Sequence, residues 1–210
     1  MLALSPRLLL PAVLLAILLV ALWRPDTVSE AAAEPPAPTP SDKRIAFSFD
    51  DAPRGKGAFL EPDERPRLLI EALETGGIKQ AVFFVNPGRI TAYDNDAADI
   101  AAYAAAGHLL ANHTAHHLKL SAVTADKFLA DIDAAEVWLK DRPNHRPWFR
   151  FPFLDEGRKN KVKRDAVRAG LKKRGLMNAY VTVDASDWYM EEQAIAAAEA
   201  GQIMDWNALR

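Results

Sequence analysis

From residue 43 onward, short apolar runs alternate with longer amphipathic ones, and this alternation leaves the chain few architectures. Residues 45–49, 80–85, 108–111, 148–151 and 179–183 read as five short strands. Residues 65–73, 96–106, 125–141, 161–174 and 191–200 read as the helices between and after them. Gly76-Gly77 and Gly107 stand where glycine commonly ends a helix, and Pro87-Gly88 breaks the second strand. Strands alternating with helices imply βαβ units, a parallel sheet and an α/β fold. In parallel α/β barrels the reactive groups collect where strands end and loops begin. The polar residues that stand out in this sequence fall at those places.

The segment before residue 43 reads differently. Arg7 precedes a 16-residue apolar run from Leu8 to Trp23, and Ala31-Ala32-Ala33 follows. A basic start, an apolar centre and a small-residue site form an export pattern, so residues 1–33 are expected to be a signal peptide or an N-terminal membrane anchor. As an anchor, residues 8–23 would tether the protein to a membrane; the run is a little short of the roughly 20 residues that span a bilayer core. Either way the domain is expected to be exported, facing a periplasmic or extracellular space. Residues 34–42 are a proline-rich linker, which leaves 43–210 as the folded domain.

Composition then narrows the chemistry. With 26 Lys+Arg against 28 Asp+Glu, the net charge of −2 gives no footprint for nucleic acid. Without cysteine there are no disulfides, thiolate metal sites, iron–sulfur clusters or Cys nucleophile. His, Asp, Glu and hydroxyl chemistry remain.

Ser48-Phe49-Asp50-Asp51 closes the first strand. A single Asp there often caps a turn, but two adjacent carboxylates leaving an apolar strand call for a cation nearby. Asn112-His113-Thr114-Ala115-His116-His117 closes the third. His113 and His117 are four apart, so one helical turn would bring both imidazoles to one side, as in metal-binding pairs. His116 would then point elsewhere, while His108 and His145 read as structural or surface residues. Together with a strand-end Asp, the pair makes a two-His, one-carboxylate set with positions open for water and substrate. Arg150-Phe151-Pro152-Phe153 closes the fourth strand; its Arg is either an ordinary surface residue or the bidentate partner of a carboxylate. Asp184-Ala185-Ser186-Asp187-Trp188 closes the fifth.

Phe49-Asp50-Asp51, His113 to His117, Arg150 to Phe153 and Asp184 to Trp188, in this order, resemble the polysaccharide deacetylase family, carbohydrate esterase family four. The resemblance runs from about Ile45 to Trp188 and implies a distorted (β/α) barrel of about seven strands. It further implies that Asp51, His113 and His117 hold a divalent metal, usually zinc, with cobalt or another divalent ion as the alternative. Asp50 would be the general base and Arg150 its partner. The backbone N–H of Phe153 would face the oxyanion, Trp188 would wall the acetyl pocket, and Asp184 would assist the catalytic acid. The substrate implied is an acetylated polysaccharide or oligosaccharide, such as a chitin-like polymer or peptidoglycan, cut at an N-acetyl or O-acetyl group.

Two departures from the family pattern are visible. Ala52 stands where the family usually has Gly, and no His follows His145, although a fifth family motif supplies one as the acid. With five strands read before residue 210, the expectation is a barrel that is incomplete at its C-terminus. A non-catalytic glycan-binding domain, or a hydrolase of a non-sugar amide on the same scaffold, are the competing expectations. The run from Arg158 to Arg174 carries nine basic residues and reads as a solvated helix face or as a contact for an anionic envelope polymer or lipid surface.

Overall fold

The structure, a computed structural model, describes residues 44–92 and 97–202. The expected leader and linker lie outside the described residues. Among the described residues no helix is long and apolar enough to cross a membrane. Five parallel strands, β1 (Ser48–Ala52), β2 (Val82–Val85), β3 (Leu109–Asn112), β4 (His145–Phe149) and β5 (Met177–Asn178), form one sheet in sequential order. The helices are α1 (Glu64–Thr75), α2 (Arg89–Ala92), α3 (Ala98–Ala105), α4 (Ala125–Leu139), α5 (Lys161–Lys173) and α6 (Asp187–Glu199). Sequential order without reversal is the winding of a parallel barrel rather than of a doubly wound sheet. The α/β fold expected from the alternation is observed, with the barrel-type winding that the resemblance implies.

The central strands explain themselves. Val-Phe-Phe-Val in β2 and Leu-Leu-Ala-Asn in β3 lack a polar alternate because both faces of a parallel sheet are covered. On one side Leu73 of α1 and Ile100 and Tyr103 of α3 meet Phe83 and Leu110. Tyr103 stacks on Phe83 with 3.8 Å between ring centroids. A second cluster joins Phe128 and Ile132 of α4, Val167 and Leu171 of α5, and Phe149 and Phe151 around β4. Each such side chain contributes about 1.5–3 kcal/mol on full burial. The helices entering this layer are capped by side chains: Thr124 Oγ1 accepts from Lys127 N, and Asn160 Oδ1 from Lys163 N. At Gly107, φ of +89° lets the chain leave α3 and turn directly into β3.

Strand boundaries differ from the sequence expectation, most at the first, fourth and fifth strands; β4 runs His145–Phe149 instead of 148–151. The first strand starts at Ser48, where the ladder with Val82 begins, and Ile45 is exposed instead of buried. The fifth is Met177–Asn178, not 179–183. Its partner β4 ends at Phe149, and Ala179 N makes the last bond across, to Phe149 O. Beyond that point the β4 chain turns at Phe151-Pro152 into a 3₁₀ turn, so the apolar run Tyr180 to Val183 finds no ladder there.

Candidate active site

In a regular strand Asp50 and Asp51 would point to opposite faces. Here β1 slips register between Phe49 and Ala52, and Asp51 takes a left-handed φ of 66°. This bulge swings both carboxylates toward the ends of β3 and β4. His113 and His117 arrive by a similar device. Residues 113–117 form a loop and not the helical turn that the spacing suggested; Thr114 (φ 63°) and His117 (φ 55°) are left-handed, and the two imidazole centroids end 5.0 Å apart. Phe153, with φ 58°, closes the ring of strained residues, its side chain 4.5 Å from His117. Strained non-glycine backbone is held only where surrounding contacts over-determine it, and such places cluster at functional sites.

Two buried asparagines supply those contacts. Asn86, at the end of β2, donates from Nδ2 to the carbonyls of His113 (2.5 Å) and Thr114 (3.0 Å). Asn112 donates to Ile132 O and Glu136 and accepts from Thr114 N. Gly88 lets the two loops meet: a Cβ there would lie 2.6 Å from Ala115 O and 2.8 Å from His116 Cδ2.

Asp51 Oδ1 lies 2.9 Å from His117 Nε2 and 3.7 Å from His113 Nε2. Asp50 Oδ2 is 3.9 Å from His113 Nε2. His113 is buried, and its Nδ1 sits 2.9 Å from the Arg150 carbonyl; that contact assigns the proton to Nδ1 and leaves the Nε2 lone pair facing the carboxylates. Burial is the main reason its pKa falls, to about 4, so the ring is neutral at pH 7. Burial works against ionisation of Asp51, yet the close His117 and the Arg89 guanidinium, 3.1 Å away, prevail and hold its carboxyl well below the usual range.

Arg150 is buried. Its Nη1 donates to both Asp50 Oδ1 (2.7 Å) and Ser48 Oγ (2.8 Å), its Nε donates to Ala179 O, and its guanidinium lies 4.0 Å from the Phe84 centroid. The bidentate pairing that the sequence left open is not formed, because Nε is committed to the β5 side and one nitrogen serves two partners. The arrangement still fixes Asp50 in place and keeps a cation beside it.

Not every residue singled out from the sequence joins this cluster. Asp184 is exposed and accepts from Ser186 N, a local turn contact. Trp188 is 58% exposed and packs edge-on against Tyr189. Among the described residues neither touches Asp50, Asp51, His113 or His117. His116 turns away, with Nδ1 on Asp131 Oδ1 at 2.5 Å. His108 is buried, accepting from Ala81 N at Nδ1, and His145 lies 3.7 Å from Glu136, so both are held within the scaffold. Ser48, Asn86 and Arg89 were not anticipated. Their one sequence signal is position: Ser48 opens β1, Asn86 stands just beyond the end of β2, and Arg89 follows the Pro87-Gly88 break.

The residues fit a divalent cation. Asp51 Oδ1, His113 Nε2 and His117 Nε2 can all lie within 4.8 Å of one another, from three points around one centre. Asp51 Oδ1 is buried, and no group donates to it with hydrogen-bond geometry. Two neutral-imidazole nitrogens and a carboxylate oxygen are a donor set suited to zinc or a similar ion.

A family model described as polysaccharide deacetylase matches residues 37–173. No curated protein matches the sequence. Among solved structures, the chain is similar to a family 4 carbohydrate esterase from Streptomyces lividans in complex with acetate, at TM-score 0.53 and 23% identity. That match covers 70% of this chain and 67% of the other. It is also similar to the chitin deacetylase of the fungal pathogen Colletotrichum lindemuthianum (TM-score 0.51, 21% identity, 69% and 57% covered). A third similar structure is a CE4 family pseudoenzyme from Bacillus anthracis (TM-score 0.52, 17% identity, 71% and 47% covered). The chain thus spans between 47 and 67% of the length of these structures. They share its fold.

Proposed function

The chain belongs to the polysaccharide deacetylase family, and from that premise we propose that it is a metal-dependent hydrolase of N-acetyl or O-acetyl groups on an extracellular or cell-envelope glycan. A chitin-like polymer or peptidoglycan is the substrate class proposed, with export of the protein to reach it. The observation that carries this reading is the convergence of Asp50, Asp51, His113, His117 and Arg150 from three strand ends.

Asp51, His113 and His117 would hold the divalent ion, zinc first. When bound, such an ion supplies Lewis acidity toward a carbonyl and makes water a stronger acid. The remaining work falls to the chain's own groups. Asp50, one-third exposed, can accept a proton from the attacking water at Oδ2, while Arg150 holds Oδ1 and keeps the carboxylate aimed. The Arg150 carbonyl fixes the His113 tautomer, so one residue orients both the base and a ligand. Phe153 N–H is the proposed donor to the carbonyl oxygen as it gains charge. Hydrolysis consumes one water and releases acetate, and the proton that Asp50 removes balances the one the departing nitrogen requires.

A glycan-binding domain without turnover is the competing reading. Retention of the Asp50–Arg150 pair counts against it, since a binding module has no use for an oriented base. Acetate release from acetylated chitooligosaccharide and from peptidoglycan, with added zinc or cobalt, tests the proposal. Metal-dependent release that is lost in Asp50→Asn supports it. No release from either substrate with any divalent ion, alongside measurable glycan binding, favours the competing reading.

A further inference from the structure

The basic run from Arg158 to Arg174 has no part in the chemistry above, and the structure divides it. Lys163 Nζ is committed to the carbonyls of Leu120, Ser121 and Val123. Arg174 forks onto Asp133, Arg164 pairs with Asp165, and Arg168 pairs with Glu156. Arg158, Lys159, Lys161, Lys172 and Lys173 are left, and of these only Arg158 lines a groove. Lys119, two residues beyond His117, stands close by. Among the described residues neither cation has a carboxylate within 4 Å.

Both line a shallow, open groove of about 460 Å³. Phe153 and Tyr180 share its wall and are 60% and 62% exposed. The groove adjoins the reaction centre through Phe153, whose ring lines it and lies 4.5 Å from the His117 ring. Lys119 Nζ sits 5.0 Å from the centroid of that same ring. Of the acids in the wall, Asp155 feels the Arg158 charge and offsets part of it, but neither acid forms an ion pair with Lys119 or Arg158. Asp155 is buried and accepts from Ser121 N and Gly157 N, and Glu156 is engaged by Arg168 and Asn178. Exposed aromatic faces suit the apolar face of a pyranose ring, and a Lys and an Arg without a direct carboxylate partner suit an anionic substituent on it.

We propose that this groove is a subsite for the sugar next to the acetylated one, and that it takes a sugar bearing a carboxylate or a phosphate. The inference rests on the deacetylase reading of the adjoining site. A lipid surface fits less well, because the two cations stand beside the aromatic rings next to the reaction centre, whereas the outward-facing Lys172 and Lys173 lie outside the groove.

The test compares N-acetylated oligosaccharides that differ only at the neighbouring sugar: carboxylate, phosphate, or carboxylate reduced to alcohol. The charged ones should have kcat/KM about 3- to 10-fold higher, as two exposed ion pairs allow, and the advantage should shrink with added salt. The double variant Lys119→Gln, Arg158→Gln should bring the charged-to-neutral ratio close to one. Lys172→Gln, Lys173→Gln, an equal charge change outside the groove, should keep the wild-type ratio. Which of carboxylate and phosphate is favoured identifies the source of the charge. Equal kcat/KM in the wild type, or a ratio that survives the groove variant, overturns the proposal. Should none of the sugars be hydrolysed, the deacetylase reading fails separately, and Kd values for the same sugars must then show the same preference and the same loss. Kd values indifferent to charge overturn the subsite as well. So does binding to anionic phosphatidylglycerol vesicles that the groove variant abolishes, if no sugar preference accompanies it.

Discussion

The ends of β1, β3 and β4 and the segment after β5 all carry polar residues beside ring-bearing ones, yet only the first group is locked together. Asp50, Asp51, His113, His117 and Arg150 are held by a bulge, a doubly left-handed loop, two buried asparagines and a shared guanidinium nitrogen. Asp184 and Trp188 stand exposed, with only near neighbours in sequence as partners. The difference teaches that residue type at a strand end does not make a site. What makes one is a set of buried polar contacts that fixes each side chain's direction before any ligand arrives.

The contrast can be tested by substitution, beginning where the expected loss is greatest. Asp50→Asn should lower acetate release by about 10²–10⁴-fold, the usual weight of a general base. Metal content should be retained, which separates Asp50 from the proposed ligands. Arg150→Gln should cost about 10- to 100-fold, as for groups that orient others. Its loss should appear in kcat more than in KM. Asn86→Ala leaves two carbonyls of the His113 loop without their donor, so thermal or denaturant unfolding should show about 1–3 kcal/mol of destabilisation. Weaker metal affinity should accompany it. Trp188→Ala should change stability by no more than about 0.5 kcal/mol. A large effect of Trp188→Ala on metal affinity would erase the contrast between the two regions.

The smallest effect belongs to the Asp133–Arg174 pair on the surface. The Arg174 hydrogen bonds hold the Asp133 carboxyl below its unfolded pKa. Its contribution is therefore fully present above the ordinary carboxylate range and is lost as pH falls through the lowered folded pKa. Being exposed, the pair should be worth under about 1 kcal/mol. The difference between wild type and Arg174→Gln in a stability–pH profile should vanish in acid.

Much of the scaffold could be read before any coordinates, for physical reasons that also mark where reading stops. Val82–Val85 and Leu109–Ala111 are apolar on both faces, so their assignment as buried strands follows from the pattern alone. The pairing of His113 with His117 followed from their spacing, although a loop and not a helical turn brings them together. The bulge at Asp51 was not legible, since strand alternation sends adjacent residues to opposite faces and nothing in Asp-Asp announces a left-handed φ. Ser48, Asn86 and Arg89 act through partners 102, 27 and 38 positions away in sequence, beyond any local pattern. The fifth strand was misplaced because Tyr180 to Val183 has strand propensity, while the end of β4 decides where a ladder is available.

Metal stoichiometry tests the central claim most directly. Wild-type protein dialysed against limiting zinc should retain about one equivalent, as a two-His, one-carboxylate site requires. His117→Ala and Asp51→Asn should retain little, with folding verified by circular dichroism, while His116→Ala should match the wild type. Equal zinc content in His117→Ala, Asp51→Asn and His116→Ala would contradict the assignment of Asp51, His113 and His117 as the metal site.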